Sequence, residues 1–210
     1  MPNIAPLRDF VVRTTVLVGQ HAGDEPALLA ALRPALATLI TTPDWLPESF
    51  TQPHPQYYQQ YLLHADPLER WSMVSFVWGP GQRTPIHDHR VWGLVGVLQG
   101  AELGTTFERD AAGRLVATGE ERLEPGEVVA VSPTIGDIHR VANAFDDRAS
   151  ISIHVYGGNI GAVRRAVYDP DTGVEKPFVS GYSNLVVPNL WDRSAAVRAA
   201  LTAAPAAPAR

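Results

Sequence analysis

The chain contains no cysteine, and this absence excludes three kinds of chemistry at once. Without a thiol, the chain can form no disulfide, no cysteine nucleophile and no thiolate metal site. Any metal ion must therefore be held by histidine nitrogens or by oxygen atoms.

Long apolar runs and clustered positive charge are also missing. No segment approaches the roughly 20 apolar residues of a membrane span, and the start of the chain, MPNIAPLRDF, lacks the pattern of a signal peptide. The formal net charge is -5, and the 17 basic residues are scattered along the chain. We therefore expect a soluble, cytoplasmic protein whose partners are small molecules rather than nucleic acid or membrane. No pattern indicates an oligomeric state.

Helical patterns are found at both ends of the chain. Residues 24–41 predict a helix, because Asp24 can cap its start and leucines recur at four-residue spacing. A second helix is predicted around Pro55 to His64, on the apolar stripe of Tyr58, Tyr61 and Leu62. The alanine-rich C-terminus predicts a short helix and a disordered tail.

The middle of the chain has the texture of β-structure. From Arg70 onward, short β-rich runs are separated by Gly, Pro and Asp at intervals of about 10 residues, which favours an antiparallel sandwich or small barrel. A hydrophobic content of 45% over 210 residues suits one core. We expect a single domain over 1–210, with helices in about 1–68, a β-barrel in about 69–182, and a C-terminal segment in about 183–210.

Three histidines have the arrangement of a metal site. His87 and His89 are separated by one residue, so in an extended strand they project to the same side, while Asp88 and Arg90 project to the other. His139, about fifty residues later in another predicted strand, is the natural third ligand. Three neutral imidazoles suit iron, copper, nickel or zinc and leave coordination positions open for a substrate. A lone His-X-His motif could equally be two surface histidines.

Glycines and a second motif around these histidines resemble the two motifs of the cupins. The first motif comprises Gly81, His87, His89, Gly93 and Gly100, and the second comprises Pro133, Gly136, His139 and Asn143. The ordinary cupin pattern has a metal-binding glutamate where this chain has Gly93. The three-histidine pattern without it is similar to the cupin thiol dioxygenases of the cysteine dioxygenase family, over about Gln60 to Arg165. The resemblance implies an all-β cupin fold, a jelly-roll or double-stranded β-helix barrel, with N-terminal helices packed outside.

The resemblance also implies a reaction. An Fe(II) ion held by His87, His89 and His139 would serve the transfer of both atoms of O2 to the sulfur of a small thiol carboxylate, giving a sulfinate. Some cysteine dioxygenases carry a cysteine at the Gly93 position that crosslinks to the active-site tyrosine, and here that crosslink cannot form.

The run SISIHVY resembles the Ser-His-Tyr relay of the family. Ser152, His154 and Tyr156 share one face of a predicted strand. The resemblance implies that the serine orients the histidine, that the histidine hydrogen-bonds the phenol, and that the tyrosine hydroxyl reaches the substrate and dioxygen beside the metal. Alternatively, this face is polar and points to solvent. His154 could also be a fourth ligand or replace His139.

An arginine after the tyrosine is expected to bind the substrate carboxylate. Members of the family place an arginine before the barrel, or have glutamine there and an arginine after the tyrosine. This chain has Gln60 and Arg165, so it resembles the glutamine type, which includes 3-mercaptopropionate dioxygenases. Arg164 would point the other way in an extended run. Gln60 could instead lie on a solvated helix face.

Other functions remain open at this point. Cysteine dioxygenase activity is the first alternative. A cupin enzyme that uses another metal for a different reaction, or a non-catalytic ligand-binding cupin, would also fit the histidine motifs. The set of Ser152, His154, Tyr156 and Arg165 favours oxidation of a thiol acid over both of these, because a storage or sensing cupin does not need it.

Overall fold

A computed structural model describes residues 3–203 of the chain. It contains three helices, α1 (Ala5–Gln20), α2 (Glu25–Leu39) and α3 (Ser194–Ala203), and a single 3-10 turn at Glu48–Phe50. The strands are β1 (Gln59–Ala65), β2 (Ser72–Trp78), β3 (Ile86–His87), β4 (Gly93–Gln99), β5 (Glu102–Arg109), β6 (Leu115–Leu123), β7 (Val128–Val131), β8 (His139–Asn143), β9 (Ser150–Tyr156), β10 (Arg165–Tyr168) and β11 (Glu175–Phe178).

The strands form two antiparallel sheets. One sheet has the order β1-β2-β9-β4-β7, and the other has the order β11-β10-β3-β8-β5-β6. From β2 to β10 the chain passes repeatedly from one sheet to the other, which is the winding of a double-stranded β-helix. The expected cupin fold is therefore confirmed, with a barrel interior between the two sheets.

The helix predicted over residues 24–41 is present as α2. The Asp24 carboxylate accepts a hydrogen bond from the Ala27 backbone N–H at 3.1 Å and caps the first turn. Pro34 lies inside this helix. Helix α1 was not predicted from the sequence, although Leu7, Phe10, Val11 and Thr14 form a buried stripe at helical spacing.

The helix predicted around Pro55 to His64 is wrong, because this segment contains strand β1. Tyr61 packs with the residues on the helix side of the sheet, whereas Leu62 packs into the barrel, as the period of two requires. Strand β1 pairs antiparallel with the fully buried β2 from Gln59 to Ala65. Strand structure therefore begins about ten residues earlier than the sequence indicated.

The five-stranded sheet separates two apolar layers. Every residue of β2 and β9 is buried, and their side chains alternate between the helices outside and the barrel inside. Helix α2 lies so close that a Cβ atom added at Gly96 would be 2.8 Å from Ile40 Cδ1. The expected packing of the N-terminal helices outside the barrel is thus observed, and it leaves the inner face of the sheet for the site.

The predicted C-terminal helix is present as α3, and residues 204–210, the expected disordered tail, lie outside the described residues. Within residues 3–203, no helix is long and apolar enough to cross a membrane.

Candidate metal centre and substrate pocket

The three predicted histidine ligands meet at one point inside the barrel. His87 in β3 is paired in register with His139, the first residue of β8, and His89 follows two residues after His87. All three are buried, and one potential ligand atom from each lies within 4.8 Å of the others. This cluster contains only histidines, as the glycine at position 93 led us to expect.

Contacts at the Nδ1 atom orient two of these imidazole rings, those of His87 and His89. His87 Nδ1 lies 3.1 Å from the Pro85 carbonyl oxygen, and His89 Nδ1 lies 3.0 Å from Asp137 Oδ1. These contacts leave Nε2 as the available nitrogen of each ring. The Asp137 carboxylate also accepts the backbone N–H groups of His89 and Arg90. Sequence analysis missed Asp137, although it lies between two residues of the second motif.

Burial keeps the three imidazoles neutral. Desolvation lowers the pKa of His139 to about 4, and together with the neighbouring histidines it lowers the pKa of His87 and His89 well below the ordinary value. A neutral imidazole is the form that binds a metal ion. Three neutral nitrogen donors fit a divalent transition metal, and the Nδ1 contacts of His87 and His89 fix the orientation of two of them.

Ser152, His154 and Tyr156 form a continuous chain on the inner face of β9. Ser152 Oγ lies 2.7 Å from His154 Nε2, and His154 Nδ1 lies 2.7 Å from the Tyr156 hydroxyl. The hydroxyl lies 3.3 Å from His89 Nε2, at the edge of the histidine cluster. These residues are buried, so the face does not point to solvent. Both nitrogens of His154 are engaged here, so it is not a fourth member of the cluster.

Burial also determines the protonation states of His154 and Tyr156. It lowers the pKa of His154 to about 3, with smaller contributions from His139 and Arg165. Burial raises the pKa of Tyr156 well above the usual range of a phenol. The histidine is therefore neutral and the tyrosine keeps its proton at physiological pH.

The glycine at position 93 is required by the ring of Tyr156. Gly93 in β4 pairs directly with Tyr156 in β9. A Cβ atom added there would lie 2.8 Å from Tyr156 Cδ1, closer than carbon atoms can approach without movement. The absence of a side chain therefore allows the tyrosine to lie beside the histidines.

Arg165 and Gln60 are brought together by a serine that sequence analysis missed. Ser180 Oγ accepts a hydrogen bond from Arg165 Nη2 at 2.9 Å and another from Gln60 Nε2 at 3.3 Å. Gln60 lies on β1 and is buried, so it is not on a solvated helix face. The neighbouring Arg164 is exposed, as expected from the alternation of an extended run.

Arg165 is a buried cation without an acidic partner. It is 3% exposed, its guanidinium carbon lies 4.7 Å from the centre of the Phe178 ring, and its Nε atom has no hydrogen-bond partner within residues 3–203. No carboxylate of these residues forms an ion pair with it. Its charge contributes to the lowered pKa of His87 and His89, so it faces the histidine cluster. A small anion beside the cluster would complete its contacts.

A buried carboxyl group near Ser152 was also missed. Glu102 begins β5 and is 1% exposed, and burial raises its pKa to about 7 despite the nearby Ser152 hydroxyl and Trp78 indole. Neither of its oxygens has a partner that meets hydrogen-bond geometry within residues 3–203. Alternation along β5 does not reveal this residue, because an isolated glutamate in a strand is usually on the solvent side.

Solved structures similar to this chain have low sequence identity. The protein TT1209 of Thermus thermophilus is 19% identical, with 53% of this chain and 92% of that chain covered at a TM-score of 0.42. A conserved protein with a double-stranded β-helix domain from Klebsiella pneumoniae is 18% identical, with 53% and 82% covered at a TM-score of 0.42. A cupin superfamily protein from Desulfitobacterium hafniense is 16% identical, with 59% and 88% covered at a TM-score of 0.40.

The sequence model of one protein family, described as cysteine dioxygenase type I, matches residues 49–168. The match covers more than half of the chain and includes the three histidines, Ser152, His154, Tyr156 and Arg165. The chain therefore belongs to the cysteine dioxygenase type I family, whose members are oxygenases.

Proposed function

We propose that this protein is an Fe(II)-dependent thiol dioxygenase and that its substrate is 3-mercaptopropionate. The overall reaction joins one thiol and one O2 to give one sulfinic acid, with both oxygen atoms bonded to sulfur. The observation that carries the proposal is the buried, acid-free Arg165 beside three neutral histidines. A thiol carboxylate offers one group for each: sulfur for the metal side and a carboxylate for the guanidinium.

His87, His89 and His139 would hold the iron through neutral nitrogens, so the ion would keep its full charge. The iron, when bound, would supply the redox chemistry and would favour the thiolate form of the substrate. The remaining tasks fall to side chains of the protein.

Arg165 would orient the substrate by binding its carboxylate in a bidentate pair. Ser180 holds one end of the guanidinium, and Gln60 in turn donates to Ser180. Gln60 is neutral, so this side of the pocket offers one cation for one carboxylate. A substrate such as 3-mercaptopropionate, which has no amine, satisfies these groups completely.

Tyr156 would act as a hydrogen-bond donor next to the reacting sulfur. Its hydroxyl lies 3.3 Å from His89 Nε2, and burial raises the pKa of Tyr156, so the phenol remains protonated. His154 and Ser152 hold this hydroxyl from the side away from the histidine cluster. A fixed donor of this kind can stabilise charge that develops on oxygen during transfer.

The test is oxygen consumption by the iron-loaded protein with 3-mercaptopropionate, cysteine and cysteamine, with the sulfinates measured in parallel. We expect 3-mercaptopropionate to have the highest kcat/KM and to yield one sulfinate per O2. Cysteine as the better substrate would support cysteine dioxygenase activity, the second candidate, which the name of the matched family favours. Absence of oxygen uptake with every thiol would refute both.

A further inference from the structure

We propose that Glu102 is a positioning residue that sets the direction of the hydrogen bonds along Ser152, His154 and Tyr156. The inference rests on the proposed function only for its consequence in catalysis. The arrangement itself concerns four buried side chains and can be tested without turnover.

The Glu102 carboxyl group lies inside the barrel with no fixed partner. It lines a cavity of about 390 Å³ whose walls include Val95, Val129 and Val141. Within residues 3–203 neither carboxyl oxygen meets hydrogen-bond geometry, although Ser152 and Trp78 are near enough to affect its ionisation. A buried carboxyl without a partner is costly, so this group has a strong tendency to bond the nearest polar hydrogen or lone pair.

The Ser152 hydroxyl contacts His154 and is also near enough to the Glu102 carboxyl group to affect its ionisation. Its oxygen lies 2.7 Å from His154 Nε2 and accepts a hydrogen bond from the Trp78 indole N–H at 3.3 Å. A hydroxyl has a single hydrogen, which can be given either to the histidine or to the carboxyl group. The protonation state of Glu102 therefore decides whether Ser152 donates to His154 or to Glu102.

The direction of the Ser152 hydrogen bond determines the directions of the next two hydrogen bonds, because His154 is neutral and has one ring N–H. When Glu102 is a carboxylic acid, it donates to Ser152, Ser152 donates to Nε2, and the proton of His154 resides on Nδ1 and points at the Tyr156 oxygen. The phenol hydrogen is then free to point to the histidine cluster. When Glu102 is a carboxylate, every bond reverses, and Tyr156 donates to His154 instead.

Among these four side chains, Glu102 is the one that changes its protonation near neutral pH. Burial raises the pKa of Glu102 to about 7, and the Ser152 and Trp78 contacts lower it less. Burial holds the pKa of His154 at about 3 and raises that of Tyr156, so neither gains or loses a proton in this range.

Other titratable groups approach Glu102 from the elements around it. From β9, Tyr156 is close enough for Glu102 to affect its ionisation, and His154 precedes it by two residues on the same strand. His139 on β8 lines the same cavity, and β2 contributes the uncharged Trp78. The remaining acidic groups of the cavity are exposed at its rim, and they are Glu108 on β5 and Glu120 and Glu121 on β6. The buried groups His139, His154 and Tyr156 are uncharged near neutral pH.

In the proposed reaction, the acid form of Glu102 is the productive one. It releases the phenol hydrogen of Tyr156 toward the substrate, whereas the carboxylate form draws it to His154. Glutamine at position 102 can donate an N–H to Ser152 but cannot ionise. Glu102→Gln should therefore fix the chain in the productive direction at every pH.

Two spectroscopic measurements test the arrangement. Infrared spectra of the iron-loaded protein should show a protonated carboxyl band that disappears with a midpoint near pH 7 and is absent from Glu102→Gln. In the full chain loaded with diamagnetic Zn(II), 15N NMR should show His154 with its proton on Nδ1 below this midpoint and on Nε2 above it. Glu121→Gln, which removes an exposed carboxylate from the cavity rim, should leave both transitions unchanged.

The kinetic measurement compares sulfinate formation by wild type and Glu102→Gln over the same pH range. The kcat of wild type divided by the kcat of Glu102→Gln should be constant below pH 6. This ratio should fall about tenfold by one pH unit above the midpoint, because the wild type then loses the acid form of Glu102. A carboxyl band that does not titrate near pH 7, or a His154 proton that stays on one nitrogen while Glu102 ionises, would overturn the inference. A proton shift in His154 without any change in the kcat ratio would support the inference and would remove Tyr156 from the proposed mechanism. Absence of all thiol oxidation would refute the proposed function and leave the spectroscopic result standing.

Discussion

Asp137 connects the candidate ligand His89 to the backbone around it. Its carboxylate accepts hydrogen bonds from the backbone N–H groups of His89 and Arg90 and lies 3.0 Å from the ring nitrogen Nδ1 of His89. Asp137→Asn keeps the shape but loses the charge, so iron affinity should fall about 10- to 100-fold. Competition with a chelator measures this change, with the exposed Asp147→Asn as control. Equal affinity in both variants would show that Asp137 does not support the ligand.

Arg165 and Arg164 are adjacent, but one is buried beside the histidines and the other is exposed. A charge-assisted contact is worth about 1.5 to 3 kcal/mol, so Arg165→Ala should lower kcat/KM for 3-mercaptopropionate by about 10- to 100-fold. Arg164→Ala is the matched control and should have little effect. Cysteamine, which has no carboxylate, should be a poor substrate and should lose little more in either variant. A large loss in Arg164→Ala alone would contradict the assignment of the carboxylate site.

Tyr156 is placed to affect oxidation without holding the metal. Tyr156→Phe removes the hydroxyl that His154 contacts at 2.7 Å, but it leaves the three histidines in place. We expect normal iron content, slower sulfinate formation, and oxygen uptake that exceeds sulfinate formed. Iron analysis, an oxygen electrode and product quantification measure these three quantities. Full and coupled turnover in the variant would exclude a role for the phenol.

At the scale of elements, strand β4 carries two glycines that face opposite layers. An added Cβ would lie 2.8 Å from the Tyr156 ring at Gly93 and 2.8 Å from Ile40 at Gly96. Each alanine variant should lower the free energy of unfolding by about 1 to 3 kcal/mol through overpacking. We expect Gly93→Ala to impair turnover as well, because it moves the tyrosine, whereas Gly96→Ala should keep normal kcat. Urea unfolding and steady-state kinetics separate the two effects, and loss of turnover in both variants would contradict this division of the sheet.

The sequence predicts those elements whose residues have local signals. Glycine turns, paired histidines and alternating faces placed β3, β8 and β9, and the cap at Asp24 placed α2. The segment of β1 was predicted wrongly, because Tyr58, Tyr61 and Leu62 fit a helical stripe as well as a strand that packs against apolar layers on both faces. Only pairing with β2 decides between them, and this pairing is not local.

Within the site, the same limit separates what could be predicted from what could not. His87 and His89, and likewise Ser152, His154 and Tyr156, lie on short motifs with a period of two, and His139 lies on a second short motif. Ser180 follows β11, and Glu102 is an isolated acidic residue at the start of β5. Neither residue belongs to a local pattern that indicates a role in the site. Their role depends on which sheet positions the barrel brings together.

At the scale of the whole molecule, the buried titratable groups control how stability depends on pH. The histidines His87, His89, His139 and His154 have lowered pKa values in the folded protein, so below the ordinary value of 6.5 the unfolded chain binds more protons through them. The metal-free protein should therefore lose stability steeply as pH falls below 6.5. Urea unfolding from pH 7.5 to 5 measures this loss, and a flat profile would contradict the burial of neutral histidines.

Glu102 changes the pH dependence of stability in the direction opposite to that of the histidines. Its pKa rises from 4.5 to about 7 on folding, so the folded state binds the extra proton between these values and stability from this group falls as pH rises. The full difference is equivalent to about 3 kcal/mol. Glu102→Gln should therefore gain stability relative to wild type as pH increases from 4.5 to 7, and Glu121→Gln should not.

The winding of the chain between the two sheets also has a consequence for folding on the ribosome. His87 and His89 leave the ribosome about fifty residues before His139, and Arg165 follows later still. The pairing of His87 with His139 is a long-range contact, and such contacts form slowly because a large loop must close first. The nascent chain therefore cannot bring the three histidines together until most of the barrel has been synthesised, so the complete histidine cluster forms only together with the pocket around it.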